Sequence, residues 1–286
     1  MIYTVTLNPS LDYTMRLSSL TAGEVNRSAS EEVTAGGKGI NVSATLAGLG
    51  VRSRALGFVA GFTGQELARL VGETGVEADF IELSEGATRI NVKLKAAEET
   101  DINGSGAEIN EEALARLFER LDALKSGDTL VLAGSVPRGV PRDIYERILA
   151  RLDGKGVRAV VDAERELLLN TLKHKPFLIK PNLRELGELF GEKPATLDEI
   201  AALARRLREM GAQNVLVSMA GDGALLLDER GELHFQKALK ITLVNSVGAG
   251  DAMVAGFLAA LEKRPGDYEY ALSFANETGA AKAAGG

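Results

Sequence analysis

The segment TLVLAGSVPRGVPRDIYERILARLDGKGVRAVV, residues 129–161, contains a complete strand–helix–strand pattern. Its apolar run at 129–132 is followed by an amphipathic stretch at 143–152 and then by a valine-rich run at 157–161. Apolar residues spaced three or four apart predict a helix, whereas short apolar runs rich in β-branched residues predict buried strands. Parallel strands need a long crossover connection, usually a helix, so this segment predicts a parallel pair.

The same alternation extends along most of the chain. Further runs predict strands at 2–7, 54–59, 177–179 and 215–217, and further amphipathic stretches predict helices at 40–49, 65–71, 111–124 and 197–210. Strands that alternate with helices form a mainly parallel sheet, which is covered by helices on both faces. We therefore expect an α/β protein, built as a three-layer α/β/α sandwich.

Two segments, at about 11–34 and 79–101, interrupt this alternation. Both are polar and alternating, as in Arg89-Ile90-Asn91-Val92-Lys93-Leu94-Lys95, and neither contains a helical pattern. Such stretches predict a small antiparallel β-stranded lid outside the main sheet, covering a cleft. Because no repeat or low-complexity linker divides the chain, we expect a single domain over 1–286 with this lid attached.

Composition excludes several classes of site. The 286 residues include 33 Lys and Arg against 40 Asp and Glu, a net charge of −7, so the chain has no general attraction for nucleic acid or for anionic membranes. With no cysteine and two histidines, thiolate chemistry is absent and imidazole sites have little material. No apolar run is long enough to span a membrane, and the N-terminus lacks a signal-peptide pattern, so we expect a cytoplasmic protein.

A first glycine cluster, Gly36-Gly37-Lys38-Gly39-Ile40-Asn41, leads into a predicted helix. Backbone N–H groups at a helix start can hold phosphate, and a lysine among glycines favours an anion there. A Walker loop needs serine or threonine after the lysine, and Gly39 occupies that position, so a P-loop is excluded. A purely structural turn remains the alternative for this segment.

A second cluster, Asn245-Ser246-Val247-Gly248-Ala249-Gly250-Asp251, precedes an apolar helix. Free N–H groups at the positive end of that helix could stabilise a transferring phosphoryl group beside the carboxylate of Asp251. Asp251 could instead be a simple N-cap. The Gly248-x-Gly250 spacing also matches half of a dinucleotide fingerprint, but the third small residue would fall at Met253.

Three further segments lie where predicted strands end. Ser218-Met219-Ala220-Gly221-Asp222-Gly223 is either a nucleotide-binding loop or an ordinary hairpin turn. Lys180-Pro181-Asn182-Leu183-Arg184-Glu185 opens a helix, and its Asn and Glu either form a capping box or orient the waters of a phosphate-bound magnesium ion. In Asn8-Pro9-Ser10-Leu11-Asp12, the aspartate either accepts hydrogen bonds from sugar hydroxyls or is a turn residue.

Taken in order, these segments resemble the PfkB branch of the ribokinase-like carbohydrate kinases over nearly the whole chain. Residues 35–41 and 247–251 are similar to the two signatures of that family. The segments 6–12, 88–93 and 245–257 are most similar to the members that phosphorylate fructose 1-phosphate, and kinases of tagatose 6-phosphate are near relatives. The resemblance implies a ribokinase-like sandwich with a β lid, ATP as phosphoryl donor, Mg²⁺, and fructose 1,6-bisphosphate as product, with tagatose 1,6-bisphosphate as the alternative.

The resemblance also implies a role for each motif residue. Asp251 would be the general base, and the amides of Gly248, Ala249 and Gly250 would form an anion hole. The sugar phosphate would contact Asp12, Gly37, Lys38, Asn41, Arg89 and Ser135, with Arg89 on its phosphate. ATP would contact Lys180, Asn182, Ser218, Met219, Ala220, Gly221, Asp222, Gly223 and Gly250, with Asn276 near the adenine. Asn182 and Glu185 would hold the metal through water.

Two other classes of function remain open on the residues alone. A non-catalytic sugar-phosphate sensor could share the fold, although a sensor has no need of the base Asp251. A dinucleotide-dependent oxidoreductase rests only on the Gly248-x-Gly250 spacing. The exposed edges of an antiparallel lid further suggest a homodimer formed through that lid.

Overall fold

A nine-stranded sheet forms the centre of the structure, a computed structural model that describes residues 1–285. Strands are numbered in chain order, and the large sheet has the order β13-β12-β11-β10-β9-β8-β1-β4-β5. Its members are β1 (Ile2–Thr6), β4 (Ser53–Ala60), β5 (Glu77–Leu83), β8 (Thr129–Ala133), β9 (Arg158–Asp162), β10 (Leu178–Ile179), β11 (Asn214–Ser218), β12 (Ala224–Leu227) and β13 (Leu233–Gln236). From β11 to β5 all neighbours are parallel, and β12 and β13 add an antiparallel edge.

Helices cover both faces of this sheet, which confirms the predicted sandwich. They are α1 (Lys38–Gly48), α2 (Gly61–Glu73), α3 (Glu111–Asp122), α4 (Ile144–Leu152), α5 (Arg165–Leu169), α6 (Leu183–Phe190), α7 (Leu197–Glu209), α8 (Ala249–Lys263) and α9 (Tyr268–Ala283). One core contains apolar residues of α3 to α7, and a second contains those of α1, α8 and α9. Because both faces are buried, β8, β9 and β11 have apolar centres, whereas β1 contains the buried Thr4 and Thr6, whose hydroxyl groups bond Ser43 Oγ and Ile40 N.

A separate four-stranded sheet forms the lid, in the order β3-β2-β6-β7. Its strands are β2 (Ser10–Arg16), β3 (Ser30–Gly36), β6 (Arg89–Lys95) and β7 (Glu99–Asn103). Two of its three strand pairs are antiparallel, as expected, whereas β2 and β6 run parallel. That parallel pair arises because the chain between β3 and β6 passes through the large sheet before it returns.

The expected boundary of the lid was wrong at one point. Residues 79–83 belong to β5, which pairs with β4 at the edge of the large sheet. An edge strand with one solvated face alternates between polar and apolar residues in the same way as a lid strand. Alternation alone therefore could not separate the two, and the second lid segment begins at Arg89.

The segment 218–223 forms the turn between the antiparallel strands β11 and β12, so the hairpin alternative is confirmed. Met219 N donates to Gly223 O at 2.8 Å. Gly223 has a φ of 105°, and a Cβ at this position would lie 2.0 Å from Gln236 O, so only glycine fits. Among residues 1–285, none of the helices has both the length and the apolar character needed to cross a bilayer.

Candidate active site

Two cavities meet at the edge of the large sheet where its parallel strands end. The first, of about 1590 Å³, lies under the lid. The second, of about 1600 Å³, lies between the 218–223 turn, the segment 237–243 and α9. The two cavities share Asn182, Ser218 and Gly250 in their walls. Ligands bind at this edge in open α/β sheets, so two ligands could meet at the shared wall.

Asp12 faces the first cavity from the lid. Its Oδ1 accepts hydrogen bonds from Ser10 Oγ at 2.8 Å and from Asn91 Nδ2 at 3.1 Å, and Lys93 Nζ lies 2.7 Å from its Oδ2. Asp12 is within β2, so its interpretation as a turn residue is wrong. Side chains alternate across a strand, which places Ser10, Asp12 and Asn91 together on the inner face of the lid.

The first glycine cluster also lies in this cavity. Gly37 has a φ of 128° and is the N-cap of α1, where a Cβ would lie 2.7 Å from Thr6 Cγ2. Lys38 is the first residue of α1, and its Nζ lies 3.1 Å from Oδ1 of Asp162 in the wall of the same cavity. One turn on, Asn41 Nδ2 donates to Asp251 Oδ2 at 2.8 Å, although the two residues are 210 positions apart.

Asp251 lies in the first turn of α8 and is 6% exposed. The N-cap of this helix is Gly248, and no side chain caps it, so the interpretation of Asp251 as an N-cap is wrong. Burial, and then the charge of Asp162, raise the pKa of Asp251 to about 6, against the opposing effects of Asn41, Lys180 and Lys38. A carboxyl group with this pKa is mostly ionised at neutral pH and can accept a proton.

Some, but not all, of the backbone N–H groups around Asp251 are free to bind an anion. Within residues 1–285, the N–H groups of Gly248, Gly250 and Asp251 have no acceptor, as the first turn of a helix leads one to expect. The Ala249 N–H differs from the expectation, since it donates to Ser246 O at 3.2 Å and closes the turn before the helix. The amides that an anion could bind here are therefore those of Gly248, Gly250 and Asp251, and the amide of Ala249 is not among them.

Asp162 is a site residue that the sequence interpretation missed. It ends β9, is 2% exposed and lines the first cavity. Its Oδ1 lies 3.1 Å from Lys38 Nζ, and its Oδ2 lies 3.4 Å from Lys180 Nζ. Burial acts to raise the pKa of Asp162, but the two ammonium groups lower it overall. The available signal was its position directly after a buried strand, the argument already used for Asp12.

Asn182 and Glu185 form the capping box of α6. Asn182 Oδ1 accepts from Glu185 N at 2.8 Å, and Glu185 Oε2 accepts from Asn182 N at 2.8 Å. The capping alternative is therefore confirmed, and both residues nevertheless line the first cavity. Within residues 1–285, Glu185 Oε1 accepts no hydrogen bond, and this oxygen could still bind a metal-bound water.

Arg89 and Ser135 lie in the wall of the first cavity, as expected. Arg89 Nε donates to Asn8 O at 3.2 Å, and Nη1 lies 3.5 Å from Gly104 O, which leaves its remaining N–H groups for a ligand. Burial lowers the pKa of Arg89. A partly desolvated guanidinium favours an anionic partner such as a phosphate.

The expected nucleotide residues divide between the two cavities. Ser218, Met219, Ala220, Gly221, Gly223 and Asn276 line the second cavity, whereas Lys180 lines only the first. Asp222 differs from the expectation, because it lies on the exposed side of the turn and lines neither cavity. Asn276 Nδ2 donates to Lys237 O at 2.9 Å, which ties α9 to the segment that closes the second cavity.

Comparison with known proteins gives consistent relatives. The chain is 48% identical to 1-phosphofructokinase of Bacillus subtilis (strain 168) over 264 residues, which cover 92% of this chain and 86% of the relative. It is 36% identical to D-tagatose-1-phosphate kinase of Bacillus licheniformis over 263 residues, with coverage of 92% and 86%. Both relatives are named as sugar-phosphate kinases, and the match extends over almost their whole length.

Solved structures show the same fold. Phosphofructokinase-2 from Escherichia coli in complex with substrates and products superposes with a TM-score of 0.92 at 29% identity, covering 99% of this chain and 92% of that one. Ribokinase from Arabidopsis thaliana, with ribose and ATP, has a TM-score of 0.78 at 21% identity, with coverage of 98% and 91%. The model of the pfkB family carbohydrate kinases matches residues 5–284, and this chain belongs to that family.

Proposed function

We propose that this kinase transfers the γ-phosphoryl group of ATP to fructose 1-phosphate, giving fructose 1,6-bisphosphate. The observation that carries the proposal is the buried carboxylate of Asp251, which faces the first cavity beside the free amides of Gly248 and Gly250. Gly250 belongs to the shared wall of the two cavities. The 48% identity to a 1-phosphofructokinase supports fructose 1-phosphate as the acceptor.

In this proposal the first cavity holds the acceptor. Asp12 accepts hydrogen bonds from the sugar hydroxyls, and Arg89, Lys38 and Ser135 hold the phosphate on C1. The 6-hydroxyl then lies within reach of Asp251, which removes its proton as the oxygen attacks phosphorus. Phosphoryl transfer depends mainly on positioning and charge neutralisation, which suits a site without cysteine or histidine.

ATP occupies the second cavity, with its γ-phosphate at the shared wall. The amides of Gly248 and Gly250 stabilise the charge that develops on the transferring group. Lys180 lies over the same position, since a Cβ on Gly250 would be 3.1 Å from Lys180 Nζ. We propose that Glu185 Oε1 and Asn182 would hold Mg²⁺ through water, and that the bound ion would neutralise part of the triphosphate charge.

The test is a comparison of acceptors with ATP and magnesium. We expect the highest kcat/KM for fructose 1-phosphate, ahead of tagatose 1-phosphate, tagatose 6-phosphate and fructose 6-phosphate. A higher value for either tagatose phosphate would favour the alternative function. Absence of ADP release with all four acceptors would indicate a binding protein, because a sensor does not turn over ATP.

The pH profile should report the ionisation of Asp251. The base acts in its unprotonated form, and its pKa without bound ligands is about 6, so we expect kcat/KM for fructose 1-phosphate to be nearly constant above pH 7 and to fall below about pH 6. A phosphate monoester itself titrates near pH 6, so the profile of Asp251→Asn, which lacks the base, gives the part that is due to the substrate. A wild-type profile no steeper than that of Asp251→Asn would contradict this assignment.

We also propose a homodimer formed through the outer face of the lid. The residues on this face alternate with those that face the cavity, and Val33, Ile90 and Ile102 are apolar and exposed. Exposed apolar side chains on one sheet face are typical of an interface. A tetrameric form of E. coli phosphofructokinase-2 has been described, so relatives of this chain can associate.

Ile102→Asp is expected to convert the dimer to a monomer, because it places a charge in the proposed apolar contact. Light scattering coupled to gel filtration measures the mass at several protein concentrations. Met210→Asp, at an exposed apolar position at the end of α7, is the matched control and should leave the dimer intact. A wild-type protein of monomeric mass at all concentrations would disprove the interface.

A further inference from the structure

Asp162 is the one carboxylate that contacts both lysines of the site within residues 1–285. Lys38 comes from the start of α1, and Lys180 follows β10, so the two ammonium groups arrive from different elements. Lys38 Nζ donates a hydrogen bond to Oδ1 of Asp162 at 3.1 Å, whereas Lys180 Nζ forms an ion pair with Oδ2 at 3.4 Å, and Oδ2 accepts no hydrogen bond within residues 1–285. The side chains of Asp162 and Lys180 are 2% and 5% exposed, so solvent has little access to their contact, whereas the side chain of Lys38 is 35% exposed and stays partly hydrated.

The same lysines are also attracted to Asp251. The charges of Asp162 and Asp251 both raise the pKa of Lys38, against its burial, and both lysines act to lower the pKa of Asp251. A full contact between either ammonium group and Asp251 would stabilise the ionised carboxylate and weaken it as a base. Two buried carboxylates therefore compete for two ammonium groups, and the observed contacts are with Asp162.

We propose that Asp162 is a positioning residue that holds Lys38 and Lys180 apart from the catalytic carboxylate and directs them toward the two substrates. This inference rests on the proposed function, since it assigns Lys38 to the acceptor phosphate and Lys180 to the phosphoryl group in transfer. An ammonium group has three N–H donors, so each lysine can bind Asp162 with one and a phosphate oxygen with another.

Removal of the charge at position 162 should redirect both lysines. In Asp162→Asn, Asp251 becomes the carboxylate with the largest effect on Lys38, ahead of Glu185, and the negative charge of Asp162 that raised the pKa of Asp251 is gone. Both effects lower the pKa of Asp251. The groups that face Asp251 from other elements are Asp162, Lys38, Lys180 and the amide of Asn41, and Glu185 acts on Lys38 in turn. None of them opposes this direction once Asp162 is neutral.

The experiment measures kcat at neutral pH, and kcat/KM as a function of pH, for wild type and Asp162→Asn with fructose 1-phosphate and ATP. We expect kcat to fall about 10- to 100-fold, because misplaced charged groups cost this much in a preorganised site. The acid limb, which is the fall in kcat/KM at low pH, should move to lower pH than in the wild type. A kcat within about threefold of wild type, or a limb at the wild-type pH, would overturn the proposal.

If Asp162 had a purely structural role, less of the Asp162→Asn protein would fold, but the folded fraction would have the wild-type kcat and the wild-type acid limb. Asp228→Asn is the matched control, since Asp228 is a buried carboxylate in the β12–β13 hairpin, outside both cavities, bound to His234. We expect wild-type kcat and limb per folded molecule. Asp162→Glu keeps the charge and should return the limb to the wild-type pH, and a limb that stays low would overturn the charge argument.

If Asp162→Asn does not fold, Asp162→Ser takes its place with the same expectations, because its smaller side chain leaves room for water around the ammonium groups. Failure of the proposed function is visible separately. It would appear as a wild-type enzyme that does not turn over fructose 1-phosphate, whereas failure of this inference leaves wild-type turnover intact and the Asp162→Asn variant unchanged.

Discussion

Asp251→Asn is expected to lower kcat by about 10²- to 10⁴-fold, the usual contribution of a positioned general base. Asparagine has the shape of aspartate and keeps an oxygen that can accept the hydrogen bond from Asn41 Nδ2. The amide cannot take a proton from the sugar hydroxyl. The substitution also removes a charge whose burial raises the pKa of the carboxyl group, so it should not destabilise the fold.

Three measurements separate loss of the base from other effects. Calorimetry should give the wild-type Kd for ATP, thermal unfolding should give a Tm at or above that of the wild type, and ADP release should give the reduced kcat. Asp198→Asn is the control, because Asp198 is an exposed aspartate in the first turn of α7. Turnover of Asp251→Asn near the wild-type rate would exclude Asp251 as the base.

Periodicity predicted the large sheet because its physical cause is local. All six predicted strands and all five predicted helices of the alternation are present, since a segment buried on both faces is mostly apolar whatever its partners are. The error at 79–83 has the opposite cause. A strand with one solvent-exposed face alternates between polar and apolar residues in either sheet. Only the pairing with β4 shows that residues 79–83 belong to the large sheet.

The site was predictable where its chemistry follows from local backbone. The glycine clusters before α1 and α8 identified Gly37, Lys38 and Gly250 as candidate site residues, and the polar residues after a strand identified Asp12. Neither inference needed tertiary information. The contacts between them were not predictable, because Lys38 and Asp162 are 124 positions apart, and a single aspartate after a strand belongs to no motif. Local geometry also misled at Asp222, where a glycine-flanked turn points its middle residue to solvent.

Arg89→Ala is expected to raise the KM for fructose 1-phosphate by about 10- to 100-fold, with little change in the KM for ATP. A hydrogen bond to a charged group contributes about 1.5–3 kcal/mol, and each 1.4 kcal/mol corresponds to about a factor of ten. Arg89 lines only the first cavity, so the nucleotide should not sense the change. The kcat at saturation should fall less than the KM rises, because in the proposed function Arg89 binds the phosphate that does not react.

Arg89 also contacts backbone carbonyl groups of the lid and its neighbouring loop, and the effect of losing these contacts has to be separated from the loss of phosphate binding. Its guanidinium donates to Asn8 O and lies near Gly104 O, so alanine could loosen the lid as well as remove the phosphate contact. Arg89→Lys keeps the charge but loses the planar fork, and an intermediate KM is expected. Arg16→Ala, an exposed lid arginine at the end of β2, should leave both KM values unchanged. If Arg89→Ala raised both KM values equally, the lid contact would account for the effect, and an unchanged KM for the sugar phosphate would remove Arg89 from the acceptor site.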